Sequence, residues 1–147
     1  MKRIVRSAIV ECAASEVFSL VDDIESYPEF VPWCLRATVH QRTGDHARAT
    51  LEIGYRGLRH SITTENMNKP VESIDMRMLK GPFRKFSSGW RFRSLGELAA
   101  NIEFHMEYEF ASAALGRILD PLFDNLANTM VDVFSQRIAV VCGKNAR

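Results

Sequence analysis

The chain has 147 residues, 46% of them hydrophobic and 25% charged. That suffices for one domain with a substantial core and is too short for two ordinary ones, so residues 1–147 read as a single domain. A formal net charge of +1 excludes a global field for nucleic acid or an anionic membrane. The three cysteines, Cys12, Cys34 and Cys142, stand far apart. They are expected to form neither a disulfide framework nor a CxxC-type metal pair, which points to a reducing, cytoplasmic setting. No apolar run reaches membrane-spanning length. Arg6 and Glu11 interrupt the N-terminal apolar run that a signal peptide would need, so membrane contact is expected to be peripheral at most.

Residues 2–11 read as a first strand. Ser15 offers an N-cap, and Val17, Phe18, Leu20, Val21 and Ile24 supply the apolar face of a short helix. Residues 27–34, Tyr-Pro-Glu-Phe-Val-Pro-Trp-Cys, follow. Proline fixes φ and removes a hydrogen-bond donor, so regular structure is expected to stop here. Loops are ordinarily polar, and this one is not. A stiff apolar loop between helix and sheet reads either as a lid over a hydrophobic cavity or as a cap on the core edge.

From residue 35 the period changes to two. Leu35, Ala37 and Val39 form one run, and Ala47, Ala49, Leu51, Ile53 and Tyr55 the next, with a hairpin signal at Gly44-Asp45. After a turn at Gly57 come Leu58, His60, Ile62 and Thr64, closed by Asn68-Lys69-Pro70. Ile74, Met76 and Met78 begin another strand, Gly81-Pro82 turns, and residues 83–92 return. The cleanest alternation is last: Leu98, Ala100, Ile102, Phe104, Met106, Tyr108 and Phe110 face one way, and polar residues face the other.

Helical spacing resumes with Leu119, Leu122, Phe123, Leu126, Met130, Val133, Phe134 and Val141. Asp120-Pro121 is either the N-cap and first residue of this helix or the bend after a shorter lead-in, and Gly143 suits its C-terminal cap. The order is strand, short helix, loop, six antiparallel strands, long helix. A single dry sheet face covered by one helix curls around that helix, giving an α+β layer structure.

Three places carry a resemblance to a known family: residues 26–34; Gly81-Pro82-Phe83-Arg84-Lys85 with Gly89-Trp90-Arg91-Phe92; and Glu103-Phe104 and Glu109-Phe110, with Phe134 and Arg137 near the end. The chain resembles the START-like (Bet v 1-like, polyketide cyclase-like) superfamily, and within it the coenzyme Q-binding branch that includes the bacterial ribosome-association toxin. Ile138 and Cys142 depart from that pattern. The resemblance implies a helix-grip fold, a curved antiparallel sheet of about seven strands around a long C-terminal helix, with short helices after strand 1. It also implies a cavity for a polyprenyl quinone such as ubiquinone and, for some bacterial members, binding to the large ribosomal subunit that blocks subunit joining.

The residues expected to line a cavity are Tyr27, Pro28, Phe30, Trp33, Met76, Met78, Phe83, Trp90, Phe92, Phe123, Met130 and Phe134; the alternative is that each packs the core. Residues 76–96 hold six cations, Arg77, Lys80, Arg84, Lys85, Arg91 and Arg93, and no Asp or Glu. Lys80, Arg84, Lys85, Arg91 and Arg93 are therefore candidates to meet rRNA phosphates or lipid head groups, against the plainer reading of a solvated strand face. Arg137 reads as a snorkelling side chain or as a cation for a ligand head group. No catalytic constellation, phosphate loop or metal-ligand spacing is present, and His60 is the histidine expected to point inward.

These readings converge on a non-enzymatic protein without a resident cofactor. It would hold a ubiquinone-like lipid in support of respiratory function, in the cytoplasm or peripherally at the inner membrane, with no DNA partner. Ribosome association is the alternative, and a polyketide cyclase or aromatase activity resting on His60 is the third.

Overall fold

The computed structural model describes residues 1–145. In chain order the elements are β1 (Lys2–Val10), α1 (Ala14–Asp22), a 3-10 turn (Ile24–Ser26), α2 (Tyr27–Phe30), β2 (Cys34–Thr43), β3 (His46–Tyr55), β4 (Leu58–Lys69), β5 (Ser73–Lys80), β6 (Phe83–Gly96), β7 (Ala99–Phe110) and α3 (Ala113–Asn145). The seven strands form one sheet ordered β1-β7-β6-β5-β4-β3-β2, with every neighbouring pair antiparallel. β1 and β2 are its edges.

The alternation in β7 survives in three dimensions: Ala100, Ile102, Phe104, Met106 and Tyr108 are buried, while the residues between them are half-exposed. They meet Leu122, Phe123, Leu126, Met130, Phe134 and Ile138 of α3, all buried in the same core. Register shifts interrupt the β2–β3, β4–β5 and β6–β7 ladders. Bulges of this kind increase local twist, and they bend the sheet around the helix.

Four local expectations are corrected. Residues 27–30 are helical, because Pro28 sits in the first turn of α2, where its missing N–H has no intrahelical partner to lose. The residue preceding α1 is Ala13 without a side-chain cap, and Ser15 lies inside the helix. α3 begins at Ala113, with the Leu115 N–H donating to Ser112 Oγ at 3.1 Å, so Pro121 lies within the helix and Gly143 does not end it. Cys12 and Cys142 are joined by a disulfide across a separation of 130 residues. Sequence distance concealed that pairing, because folding returns the end of α3 to the exit of β1.

The β4–β5 connection is a four-residue turn closed by the Glu72 N–H donating to Lys69 O at 2.9 Å. Its second and third residues are Pro70 and Val71, and Val71 has φ +70°. That is a type II turn with a β-branched residue where glycine belongs. Val71 is 40% exposed and anchors nothing in the core. Val71→Gly is expected to stabilise the fold by about 1 kcal/mol in urea unfolding, since the left-handed conformation costs an L-residue roughly 1–2 kcal/mol.

Candidate functional site

The β3–β4 hairpin closes through Arg56 (φ +49°) and Gly57 (φ +84°), two left-handed residues as a type I′ turn requires. Its tip overhangs α3 and leaves an open groove of about 590 Å³. One wall is Pro32, Trp33 and Leu35, the roof is the hairpin from Gly54 to Arg59, and the floor is Asn125, Thr129 and Val133. A second hollow of about 520 Å³ shares Tyr55, Arg56, Leu58 and Asn125 with the first and runs on to Pro121, Asp124 and Asn128. The combined groove follows α3 from residue 121 to 133, about 18 Å at the helical rise of 1.5 Å per residue.

Leu35 narrows the entrance. It lies against Gly54, where an added Cβ would come within 2.8 Å of Leu35 Cδ1. The Gly54 N–H in turn donates to Trp33 O at 2.9 Å and holds that wall to the hairpin. The roof is cationic: the Arg56 guanidinium lies 5.2 Å from the Tyr55 ring centroid, and neither Arg56 nor Arg59 forms an ion pair among the described residues. At the far end Asp124 is engaged by Lys2 at 2.6 Å. Among the described residues the buried indole N–H of Trp33 has no acceptor, and buried donors are seldom left so.

Of the residues expected to line a cavity, Trp33 borders this groove. The structure places the others elsewhere. Tyr27, Phe30, Trp90, Phe92 and Phe134 form one aromatic cluster; Phe134 lies 5.2 Å from Tyr27, 5.3 Å from Phe30 and 5.2 Å from Trp90. Phe83 and Phe123 meet at 4.7 Å in a second cluster with Tyr108 and Phe110. Met130 is buried in the core, Met76 and Met78 pack half-buried against it, and Pro28 opens α2. The groove residues that sequence reasoning missed are Pro32, Leu35, Tyr55, Arg56, Leu58, Arg59, Asn125, Thr129 and Val133. The four-residue spacing of 125, 129 and 133 was the available signal.

The basic segment is largely answered by neighbouring strands. Arg77 pairs with Glu65 at 3.4 Å, Arg84 with Glu109 at 3.0 Å and Arg91 with Asp75 at 2.8 Å. Lys80, Lys85 and Arg93 form no ion pair among the described residues. Arg137 is half-buried and reaches across to α2. Its guanidinium lies 5.0 Å from the Phe30 ring centroid and 4.0 Å from Glu29, clamping α2 to α3. His60 is half-buried, and its Nδ1 contacts Ser61 O at 2.8 Å. Buried Asn68 donates to half-buried Asp22 at 2.9 Å and exposed Arg42 pairs with Asp22 at 3.1 Å, tying α1 to β2 and β4. Among the described residues Cys12, Glu16 and Cys142 are close enough to share a metal ion, but the disulfide occupies both sulfurs.

A family model described as polyketide cyclase / dehydrase and lipid transport matches residues 10–135. The chain belongs to this polyketide cyclase family. It is 38% identical over 138 residues to the ribosome association toxin RatA of Pseudomonas aeruginosa, covering 94% of this chain and 96% of that one. It is 26% identical over 136 residues to the mitochondrial coenzyme Q-binding protein COQ10 of Dictyostelium discoideum, covering 89% of this chain and 66% of that one. The Zhui aromatase/cyclase structure from a Streptomyces species superposes with a TM-score of 0.81 over 93% of each chain at 14% identity, a likeness of fold alone. These named sequence relatives are a toxin and a binding protein, while the fold neighbour is a cyclase. No helix among the described residues is long and apolar enough to cross a membrane.

Beside the groove wall, burial pushes the Cys34 thiol from 9.0 up to about 11. It pushes the Tyr108 phenol from 10.0 up to about 12, and holds the phenol of Tyr27, which donates to Val21 O, above its ordinary range. Between these limits the unfolded chain has released protons that the folded chain keeps, so the slope of stability with pH is negative. Their contribution is complete below about pH 9 and is lost as pH rises through the folded values. The urea midpoint is expected to fall steadily from about pH 9 upward, with Cys34→Ala removing the earliest part of the decline.

Proposed function

We propose that the protein is a non-enzymatic binding protein that takes up a hydrophobic ligand of the polyprenyl quinone class in the groove beneath the β3–β4 hairpin. The observation that carries this reading is the groove's division of labour. Pro32, Trp33, Leu35, Leu58 and Val133 offer apolar walls, while Arg56, Arg59 and Asn125 offer donors at its mouth and floor, and Thr129, whose hydroxyl donates to Asn125 O at 2.7 Å, offers an acceptor. An elongated apolar tail with an oxygen-bearing head fits that division, and a cleft of this size is ordinary for small-molecule sites. Tail burial drives binding, and the polar groups set orientation. The groove's first chamber is lined by no His, Asp or Glu, and Asp124 in the second is engaged by Lys2 at 2.6 Å. The COQ10 relative supports the same ligand class. Quinones reside in membranes, so loading would take place by peripheral contact at the inner membrane, the protein otherwise being cytoplasmic.

Titration with a short-tail ubiquinone is expected to quench tryptophan fluorescence, and solvent extraction of the purified protein should yield an isoprenoid quinone by mass spectrometry. Val133→Arg fills the floor and should weaken binding at least about tenfold, roughly 1.4 kcal/mol; because Val133 is half-buried against the core, the urea midpoint is measured alongside to show that the variant is folded in the binding assay. Absence of quenching together with an empty extract would overturn the reading.

A second reading, ribosome association, is favoured by a specific observation: identity of 35–38% over nearly the full length to proteins named ribosome association toxin. The unpaired cations Lys80, Lys85 and Arg93 are the groups available to phosphate, since Arg77, Arg84 and Arg91 are engaged by carboxylates. Cosedimentation with large ribosomal subunits should weaken as salt rises, and Lys85→Glu with Arg93→Glu should reduce both the affinity and its salt dependence. Indifference to both would remove this reading. Quinone binding and ribosome association use different surfaces and are compatible in one molecule.

A further inference from the structure

The far end of α3 carries chemistry that neither the groove nor the charged sheet face uses. Cys142, near the C-terminal end of the helix, is bonded to Cys12 just beyond β1, with Cα atoms 5.8 Å apart. Glu16, in the first turn of α1, places Oε2 3.4 Å from Sγ of each cysteine. Those two sulfurs are the only side-chain partners of Glu16 among the described residues. The third cysteine, Cys34, is free and buried at the start of β2.

We propose that Cys12–Cys142 is a reversible thiol–disulfide exchange site, opened by a dithiol reductant, whose state decides how firmly the last turns of α3 are fastened to the β1–α1 corner. Three features carry this. Cys12 is 1% exposed and Cys142 7%, and Cys142 lies in the terminal turns of a helix, where fraying is cheapest. An attacking thiolate therefore reaches Cys142 first. Second, the carboxylate of Glu16 accepts a hydrogen bond from either thiol, a service that has no use while the sulfurs remain bonded. Third, the fastened segment matters upstream. Arg137, five residues before Cys142 and so about 7.5 Å along the helix, holds Phe30 and Glu29 of α2.

The exchange balances as follows. A reductant thiolate attacks Sγ of Cys142, the S–S bond breaks, and Cys12 leaves as a thiolate that takes a proton from solvent. The reductant's second thiol then attacks its own sulfur in the mixed disulfide, releasing Cys142 as a second thiol and the reductant as its cyclic disulfide. Two electrons pass from reductant to protein, and the two new Sγ–H groups donate to Glu16.

The full-length native protein is equilibrated in mixtures of reduced and oxidised dithiothreitol, quenched in acid, denatured, alkylated with a maleimide and weighed. One adduct is expected under oxidising conditions and three under reducing ones, reversibly. Hydrogen exchange in residues 134–145 and 27–30 is expected to accelerate at least tenfold on reduction, while β7 is unchanged. Cys142→Ser should show the faster exchange in both buffers; should that variant fold poorly, reduced wild-type protein supplies the same comparison. Glu16→Gln should still form the disulfide but should be reduced faster at a given pH, because a carboxylate beside the sulfurs disfavours the departing thiolate. Three adducts in the oxidising buffer, a disulfide that only denaturation makes reducible, or identical exchange in both buffers would each overturn the proposal. Quinone binding is not read in this experiment, so its outcome is independent of the groove.

Discussion

Phe134 is the point on which the architecture closes. Its ring has no solvent exposure and sits edge-on to Tyr27 and Phe30 of α2 and to Trp90 of β6. Edge-to-face contacts of this kind add about 0.5–1.5 kcal/mol each to simple burial. They also fix orientation. The ring can satisfy three neighbours at once only if α3 lies across the sheet at one height and α2 folds back over it. The proline-bounded segment, β6 and the terminal helix thereby meet at one side chain.

That closure has a cost for any buried ligand. Aromatic residues suited to line an interior hollow instead fill it, with Phe83 and Phe123 interlocked at 4.7 Å and Phe104 and Trp90 at 5.1 Å. The accessible space is displaced outward, to the seam where the hairpin tip overhangs α3. There the helix presents Asn125, Thr129 and Val133, small or polar groups too short to reach the roof. A mixed groove forms where the helix stops offering large apolar side chains.

Much of the fold was legible because periodicity reports directly on which face is dry. The strict alternation in β7 and the stripe on α3 are visible in the residues themselves, and the family resemblance supplied how the two are joined. The site was less legible. Tyr27, Phe83 and Phe134 read equally well as cavity lining or core, since hydrophobicity records that a side chain avoids water but not what it touches. Arg77, Arg84 and Arg91 looked like an unopposed positive run because their acidic partners lie on adjacent strands, ten or more residues away in the chain. The same distance hid Cys12 from Cys142. Local helix limits failed for a smaller reason: Pro28 reads as stopping regular structure and Pro121 as a helix start or a bend after a lead-in, whereas Pro28 opens a helix and Pro121 lies within one.

The two sheet edges have a consequence for crowding. An open strand margin offers unpaired amides to any passing copy, and proteins commonly guard it with charge or irregularity. Both devices are present. Along β1, Lys2 pairs with Asp120 and Asp124 and Arg3 with Glu107, so Arg6, bonded to the neutral Asn128 amide, is the cation that would meet its own copy in a second molecule aligned edge to edge. Along β2, two register shifts break the regular spacing that an added strand would need to match. Charge on one margin and irregular spacing on the other both work against edge-to-edge pairing of two copies.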